Sequence, residues 1–420
     1  MGKSLSSIQE NEPLLIKILF EGGIVLTFIS VLNIYRFPKS TKNIVFIGIA
    51  FFSWSCISAY INEISFINAI KYSRYFIYSI LLYFIGRTVR INKSRIKKLV
   101  RLFYWLMLIQ IIVSVLNIIF YGPNESRIGT VFLVSGELGT ILPLTFLGFF
   151  ISYYHLVSKR KIHLILGWLL LMISFSTGKR TALIVFPMAY IVFEYYCLKL
   201  LSIKSLKQFR NVIKASILLV FMTPFLIFLF SNTDFGGFTP NVQDNFDIKN
   251  ISKAVNYAME YTKNEKSGYS TGRISTNIKL WNSLYFRNNL LFGIGPMKLY
   301  DRETRGYGSG FTKYNILYGI PGWGRDYISL GLPSVFLMFW FIYILHKRYR
   351  KILRLKKNIP NIILSIILGC YFALFIFLFD YLFYSSVTFV SGIPLFIITL
   401  GLGISENYTY NFVKYRRANM

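Results

Sequence analysis

Continuous apolar runs close to twenty residues long recur through this chain, and they restrict its fold more than any other feature. A helix rises about 1.5 Å per residue, so about twenty residues cross the ~30 Å hydrocarbon layer of a bilayer. In that layer no water satisfies backbone N–H and C=O groups, and a continuous apolar run must satisfy them internally as a helix. About eleven runs can be marked, at 14–35, 43–61, 66–86, 102–121, 136–154, 162–175, 181–201, 213–231, 327–345, 362–381 and 387–404. The predicted fold class is therefore all-α, a polytopic transmembrane helix bundle. Two features shift the count by one, the 128–134 stretch before the fifth run and the polar start of the first.

Composition agrees. Hydrophobic residues make up 54% of the 420 positions and charged residues only 15%, too few charges to keep a soluble chain of this size in solution. Aromatics reach 18%, and many Tyr and Phe stand at run ends, where an interfacial belt requires them. The net charge of +30 raises nucleic acid as a partner, but the basic residues are spread over short loops between apolar runs rather than gathered on one module. No nucleic-acid partner is expected; the bilayer is. Cys56, Cys197 and Cys370 fall inside separate apolar runs, so they read as buried apolar residues with no disulfide or metal site. The segment 1–13 lacks a cleavage site and does not read as a signal peptide.

Alternate loops differ sharply in charge. One set carries Arg36, Lys39 and Lys42; Arg87, Arg90, Lys93, Arg95, Lys97, Lys98 and Arg101; Lys159, Arg160 and Lys161; Lys204, Lys207 and Arg210; Lys347 to Lys357; and Lys414, Arg416 and Arg417. The other set (62–65, 122–135, 176–180, 232–326 and 384–385) has few basic residues in its short loops. The positive-inside tendency makes the first set cytoplasmic, with the N-terminus outside and the C-terminus inside. Three regions result: an N-terminal bundle at 1–231, a large extracytoplasmic loop at 232–326, and C-terminal helices with a tail at 327–420.

The loop is long enough to fold as a unit. Ile251, Ala254, Val255, Ala258 and Met259 follow helical spacing, predicting an amphipathic helix over 250–263. A second helix is expected over 272–286, with Ile274, Ile278, Trp281 and Leu284 on one face and Ser270 or Thr271 as cap. The glycines from Gly293 to Gly324 then predict irregular, mobile backbone against the membrane mouth.

Four polar groups converge on the predicted outer face. Ser176-Thr177-Gly178-Lys179-Arg180-Thr181 is a tight turn whose following helix starts outside, so free N–H groups and the positive helix end join Lys179 and Arg180 as an anion site. The alternative is two basic residues snorkelling at an interface. Arg273 again pairs a cation with a helix start, with Asn277 one turn along, or is simply a solvated helix-start residue. Lys71 and Arg74 stand inside the third run, where charge is costly and faces a cavity or a partner; Glu63 or Glu21 could pair with them. Arg127 precedes Glu137, a carboxylate at the outer end of a span that could act as a base or pair with a nearby arginine. Asp326, Asp301, Glu303 and Asp380 are further carboxylates on that side. His155, His163 and His346 all map to the cytoplasmic side, and no carboxylate cluster has metal-site spacing, so a metal-independent chemistry resting on Arg and Lys is expected, with no cofactor.

In order and placement these stretches resemble the bacterial O-antigen polymerase and ligase superfamily, its Wzy-type polymerase branch more closely. Arg127 to Gly139 is similar to the family's Arg-x-x-Gly-x-Phe segment and the polar turn after it. Ser176 to Leu183 is similar to its Ser-x-Ser-Arg-x-Ala-Leu turn. Gly272-Arg273, Trp281 and Leu291-Phe292-Gly293-Ile294-Gly295-Pro296 are similar to its loop pattern, and Gly331-Leu332-Pro333-Ser334 to its Gly-Leu/Ile-Pro-Gly entry. Ligases carry a His-Asn pair late in the loop, and no histidine stands there in this chain.

The resemblance implies a GT-C-like membrane glycosyltransferase of the bacterial inner membrane. Its donor and acceptor would be undecaprenyl-pyrophosphate-linked oligosaccharides, with a chain-length regulator as a further candidate partner. Arg180 and Arg273 would grip the pyrophosphate, supported by Lys179, Arg127, Lys71, Arg74 and Asn277. Glu137, or second to it Asp326, would take the acceptor proton, and aromatics such as Trp281, Tyr285, Tyr300, Tyr307 and Trp323 could stack on sugars. A ligase and a flippase of lipid-linked sugars remain the alternatives.

Overall fold

The structure is a computed structural model, and it describes residues 21–30, 41–88, 93–121, 146–176, parts of 191–199, 289–298, 321–356, 359–383 and 392–418. The fold over these residues is all-α. Its helices are α1 (Glu21–Ser30), α2 (Lys42–Ile61), α3 (Phe66–Thr88), α4 (Lys93–Tyr121), α5 (Phe146–Ser158), α6 (Lys161–Ser176), α7 (Gly322–Leu330), α8 (Leu332–Arg354), α9 (Asn361–Phe383) and α10 (Gly392–Ala418). At least two of them, Lys42–Ile61 and the Asn361–Leu382 part of α9, are long and apolar enough to cross a membrane.

Most helices stand on the apolar runs, where a helix satisfies the backbone groups within the run itself. Several depart from the runs, among them α10, which continues past 404 to Ala418, and two do so for identifiable reasons. α4 begins at Lys93, well before the run at 102, since Lys, Arg and Leu are good helix formers and the basic turns continue the same helix. The run at 327–345 divides at Gly331. Gly331 adopts φ 79°, a left-handed conformation that ends α7, and Pro333 then occupies the first turn of α8, where its missing N–H costs nothing.

α9 is the central helix. Ile363, Leu364, Ile367, Leu368, Tyr371, Phe372, Leu374, Phe377 and Tyr381 are buried, covering most of its circumference. Other helices turn large apolar side chains outward: Phe46, Ile49 and Tyr60 on α2, Phe66 and Ile67 on α3, Trp105 and Ile112 on α4, and Phe336 and Tyr343 on α8. A water-facing surface seldom carries so many.

Small residues set the closest approaches. α3 lies along α10, and a Cβ on Gly86 would stand 2.7 Å from the Leu400 carbonyl oxygen and 2.9 Å from the Ile404 nitrogen. Gly403 faces the Tyr83 carbonyl in the same way, and Asn407 Nδ2 donates to the Gly86 carbonyl at 3.3 Å. Ser152 on α5 donates to the Ser365 carbonyl of α9 at 2.9 Å. Small-residue contact with cross-helix hydrogen bonds is how helices associate where lipid removes the hydrophobic drive. Gly86→Ala should therefore force α3 from α10 and cost about 1–3 kcal/mol, as overpacking does. Thermal unfolding in detergent checks this, and an unchanged midpoint would mean the two helices do not pack this tightly.

Candidate functional site

The 62–65 turn marks the end of the bundle that the loop charges assign to the outside. Ser58, Trp54 and the turn meet segment 289–298, and that segment meets α7. Ile294 N donates to the Ile328 carbonyl at 2.8 Å, Gly295 N to Ser329 O at 3.0 Å, and Leu332 N to Leu290 O at 2.8 Å. Ser58 Oγ donates to the Phe292 carbonyl at 2.5 Å, and Trp54 Nε1 to Leu330 O at 2.8 Å. The Trp54 and Phe292 rings stack with centroids 5.2 Å apart.

Two of the stretches singled out in the sequence, 291–296 and 331–334, thus lie against each other. Glycine is what permits it. Gly293 has φ 64°, and a Cβ there would strike the Ile328–Leu330 backbone; at Gly331 it would strike the Leu291 carbonyl. The sequence led to an expectation of mobile backbone across this region. Residues 289–298 and 321–331 are instead tied down by backbone pairing, because these glycines provide left-handed turns and close contact rather than freedom.

α7 hangs from one buried carboxylate. Asp326 Oδ1 accepts from the Tyr72 hydroxyl of α3 at 2.6 Å, and Oδ2 from the Tyr381 hydroxyl of α9 at 2.8 Å. Ser334 Oγ of α8 donates to the Asp326 carbonyl at 3.0 Å. Asp326, Tyr72 and Tyr381 are all fully buried. Four helices therefore meet at one residue. A substrate hydroxyl could reach this carboxylate only after a tyrosine moved away. Trp323 Nε1 donates to the Leu382 carbonyl at 3.2 Å, binding the start of α7 to the end of α9. Asp380, one residue from Tyr381, is also buried.

Lys71 and Arg74 stand on the same helix as Tyr72 but face elsewhere. Tyr72 and Arg74 project about 200° apart around α3, so Arg74 and Asp326 lie on opposite sides of it. Lys71 is exposed. Arg74 Nη1 lies 3.4 Å from Glu21 Oε1 on α1, the Tyr78 hydroxyl donates to Glu21 Oε2 at 2.9 Å, and the guanidinium covers the Tyr75 ring at 4.5 Å. This ion pair sits eight residues into α3, about 12 Å from the helix start, at the depth of hydrocarbon if the helix spans. Arg127, Glu137, Lys179, Arg180, Arg273 and Asn277 lie outside the described residues.

At the opposite end is a cluster that sequence reasoning missed. Glu406 on α10 lies 3.1 Å from Arg348 Nη1 of α8 and 3.5 Å from Arg87 Nε of α3, and accepts from the Tyr83 hydroxyl at 2.6 Å. Arg87 and Arg348 read in the sequence as topology-setting loop cations. The available signal was Glu406 itself, an acid within a strongly basic chain end. No protein-family model matches the chain, and no curated protein does.

Proposed function

We propose that the chain is a repeat-unit polymerase for a bacterial surface polysaccharide, working on the outer face of the inner membrane. In this reading about eleven spans cross the bilayer, the N-terminus and the 232–326 loop lie outside, and the C-terminus is cytoplasmic. The acceptor hydroxyl attacks the anomeric carbon of the donor glycan. The new glycosidic C–O bond forms as the bond to undecaprenyl pyrophosphate breaks, and the lipid pyrophosphate leaves carrying the bonding pair.

A pyrophosphate leaving group needs fixed cations in a water-poor cavity, where a guanidinium is stronger than in water. Arg180 and Arg273 take that role, with Lys179, Arg127 and Lys71 adding positive charge, Arg74 standing by as an arginine already paired with Glu21, and Asn277 adding an amide donor. Glu137 receives the acceptor proton. Asp326 is the weaker choice of base, because both of its oxygens already accept tyrosine hydroxyls within a closed interior.

The observation that carries the reading is the meeting of stretches 291–296 and 331–334 in one fixed platform at the end with few basic loops. Both stretches belong to the resemblance, and both are far apart in sequence. Silver-stained glycan ladders from a strain lacking the protein test it. A single repeat on the lipid core is the expected result. Bare core would make the protein a ligase, and lipid-linked units held at the cytoplasmic face would make it a flippase.

A further inference from the structure

The cluster around Glu406 is not used by the proposed chemistry, and its charges do not balance. Arg348 Nη1 lies 3.1 and 3.2 Å from the two Glu406 oxygens and donates to the Tyr83 hydroxyl at 2.6 Å. That matches one cation to one anion. Arg87 is the surplus cation. Its Nε is 3.5 Å from Glu406 Oε2, near enough for ionic attraction but not aligned as a hydrogen bond. Only 8% of its side chain is exposed, against 14% for Arg348 and 15% for Glu406. Among the described residues the Arg87 guanidinium finds no hydrogen-bond acceptor; its remaining neighbour is the Tyr410 ring at 5.2 Å. Of its three nitrogens, only Nε is shut off from the surface in this condition.

A cation withdrawn this far from water needs a counter-anion with good geometry. The flat guanidinium fork fits the paired oxygens of a phosphate better than a single acceptor. The surroundings point to the source of that phosphate. Lys347, Arg350, Lys351 and Arg354 are exposed along the same end of α8, and the α10 sequence continues into Lys414, Arg416 and Arg417. Exposed Tyr343 and Tyr410 stand at the level where polar helix ends replace apolar ones. Basic pockets between helices at the cytoplasmic face hold anionic headgroups.

We infer that Arg87, backed by Arg348, binds the phosphodiester of an anionic phospholipid where the ends of α3, α8 and α10 meet. Glu406 lies between the two arginines. Its role is to hold the two guanidiniums apart in register, and the net positive charge left over is what the lipid neutralises. This site needs the bundle to lie in a bilayer and is independent of glycosyl transfer.

Native mass spectrometry of the full chain in detergent tests it, with titrations of phosphatidylglycerol, phosphatidylcholine and inorganic phosphate. Wild-type protein should hold phosphatidylglycerol at least about fivefold more tightly than phosphatidylcholine, because both carry the phosphodiester but the choline cation of the second cancels its charge. Arg87→Gln should abolish that preference, Arg87→Lys should keep part of it, and the double variant Arg350→Gln with Lys351→Gln, which removes two of the surrounding charges, should weaken it less than Arg87→Gln does. Equal binding of the two lipids by wild type overturns the proposal whether or not Arg87→Gln folds. So does a preference that survives in folded Arg87→Gln. Displacement of the lipid by millimolar phosphate would make this a free-anion site and overturn the lipid assignment.

Discussion

Asp326→Ala is expected to leave little folded protein. The substitution removes the acceptor for two fully buried tyrosine hydroxyls, Tyr72 and Tyr381, which donate at 2.6 and 2.8 Å. Each orphaned hydroxyl costs about 1–3 kcal/mol, so the two together cost about 2–6 kcal/mol. That is a large share of the ~5–15 kcal/mol by which folded proteins are stable. The yield of monodisperse protein and its melting midpoint in detergent read the effect. Asp326→Asn keeps the shape and one carbonyl acceptor but replaces the other with an NH2 donor, so one tyrosine must reverse its bond. A smaller loss, about 1–2 kcal/mol, is expected.

The same variant separates two roles. If Asp326 holds the helices, the activity of Asp326→Asn falls no further than its folded fraction. If Asp326 is the base, folded Asp326→Asn is inactive. The geometry favours the first result.

Arg180→Ala and Arg273→Ala are each expected to shorten the glycan ladder toward a single repeat at normal expression. Removing one preorganised cation from a developing charge lowers a rate by about 10²–10³. Lysine at either position should restore part of the activity, since it keeps the charge but loses the fork. The pair should be less than additive, because both act on one pyrophosphate. Wild-type ladders from both single variants would remove these residues from the mechanism.

Some of this molecule is local, and local structure is legible in sequence. The apolar runs at 43–61 and 66–86 foretell α2 and α3 to within two residues, because a run and its helix end for the same reason, the return of polar groups. Gly331 and Pro333 were visible too, yet read as the entry to one span when they separate two helices. The glycines of 293–295 suggested looseness; only the fold reveals the Ile328–Leu330 backbone packed against them. Tertiary pairing is less accessible. Tyr72 lies 254 residues from Asp326 and carries no local sign that its hydroxyl will find a carboxylate. Arg74 with Glu21 was foreseeable, since intramembrane charges seek partners and few acids are available. Glu406 was not, because its two arginines already had an explanation in loop topology.

The most direct test of the whole account is polymerisation by the purified protein in liposomes supplied with undecaprenyl-pyrophosphate-linked repeat units and nothing else. Glycans of many repeats from wild type, and little beyond the single unit from folded Arg273→Ala, are the predicted result. Folded wild-type protein that joins no repeats, or an Arg273→Ala product of wild-type length, would contradict it.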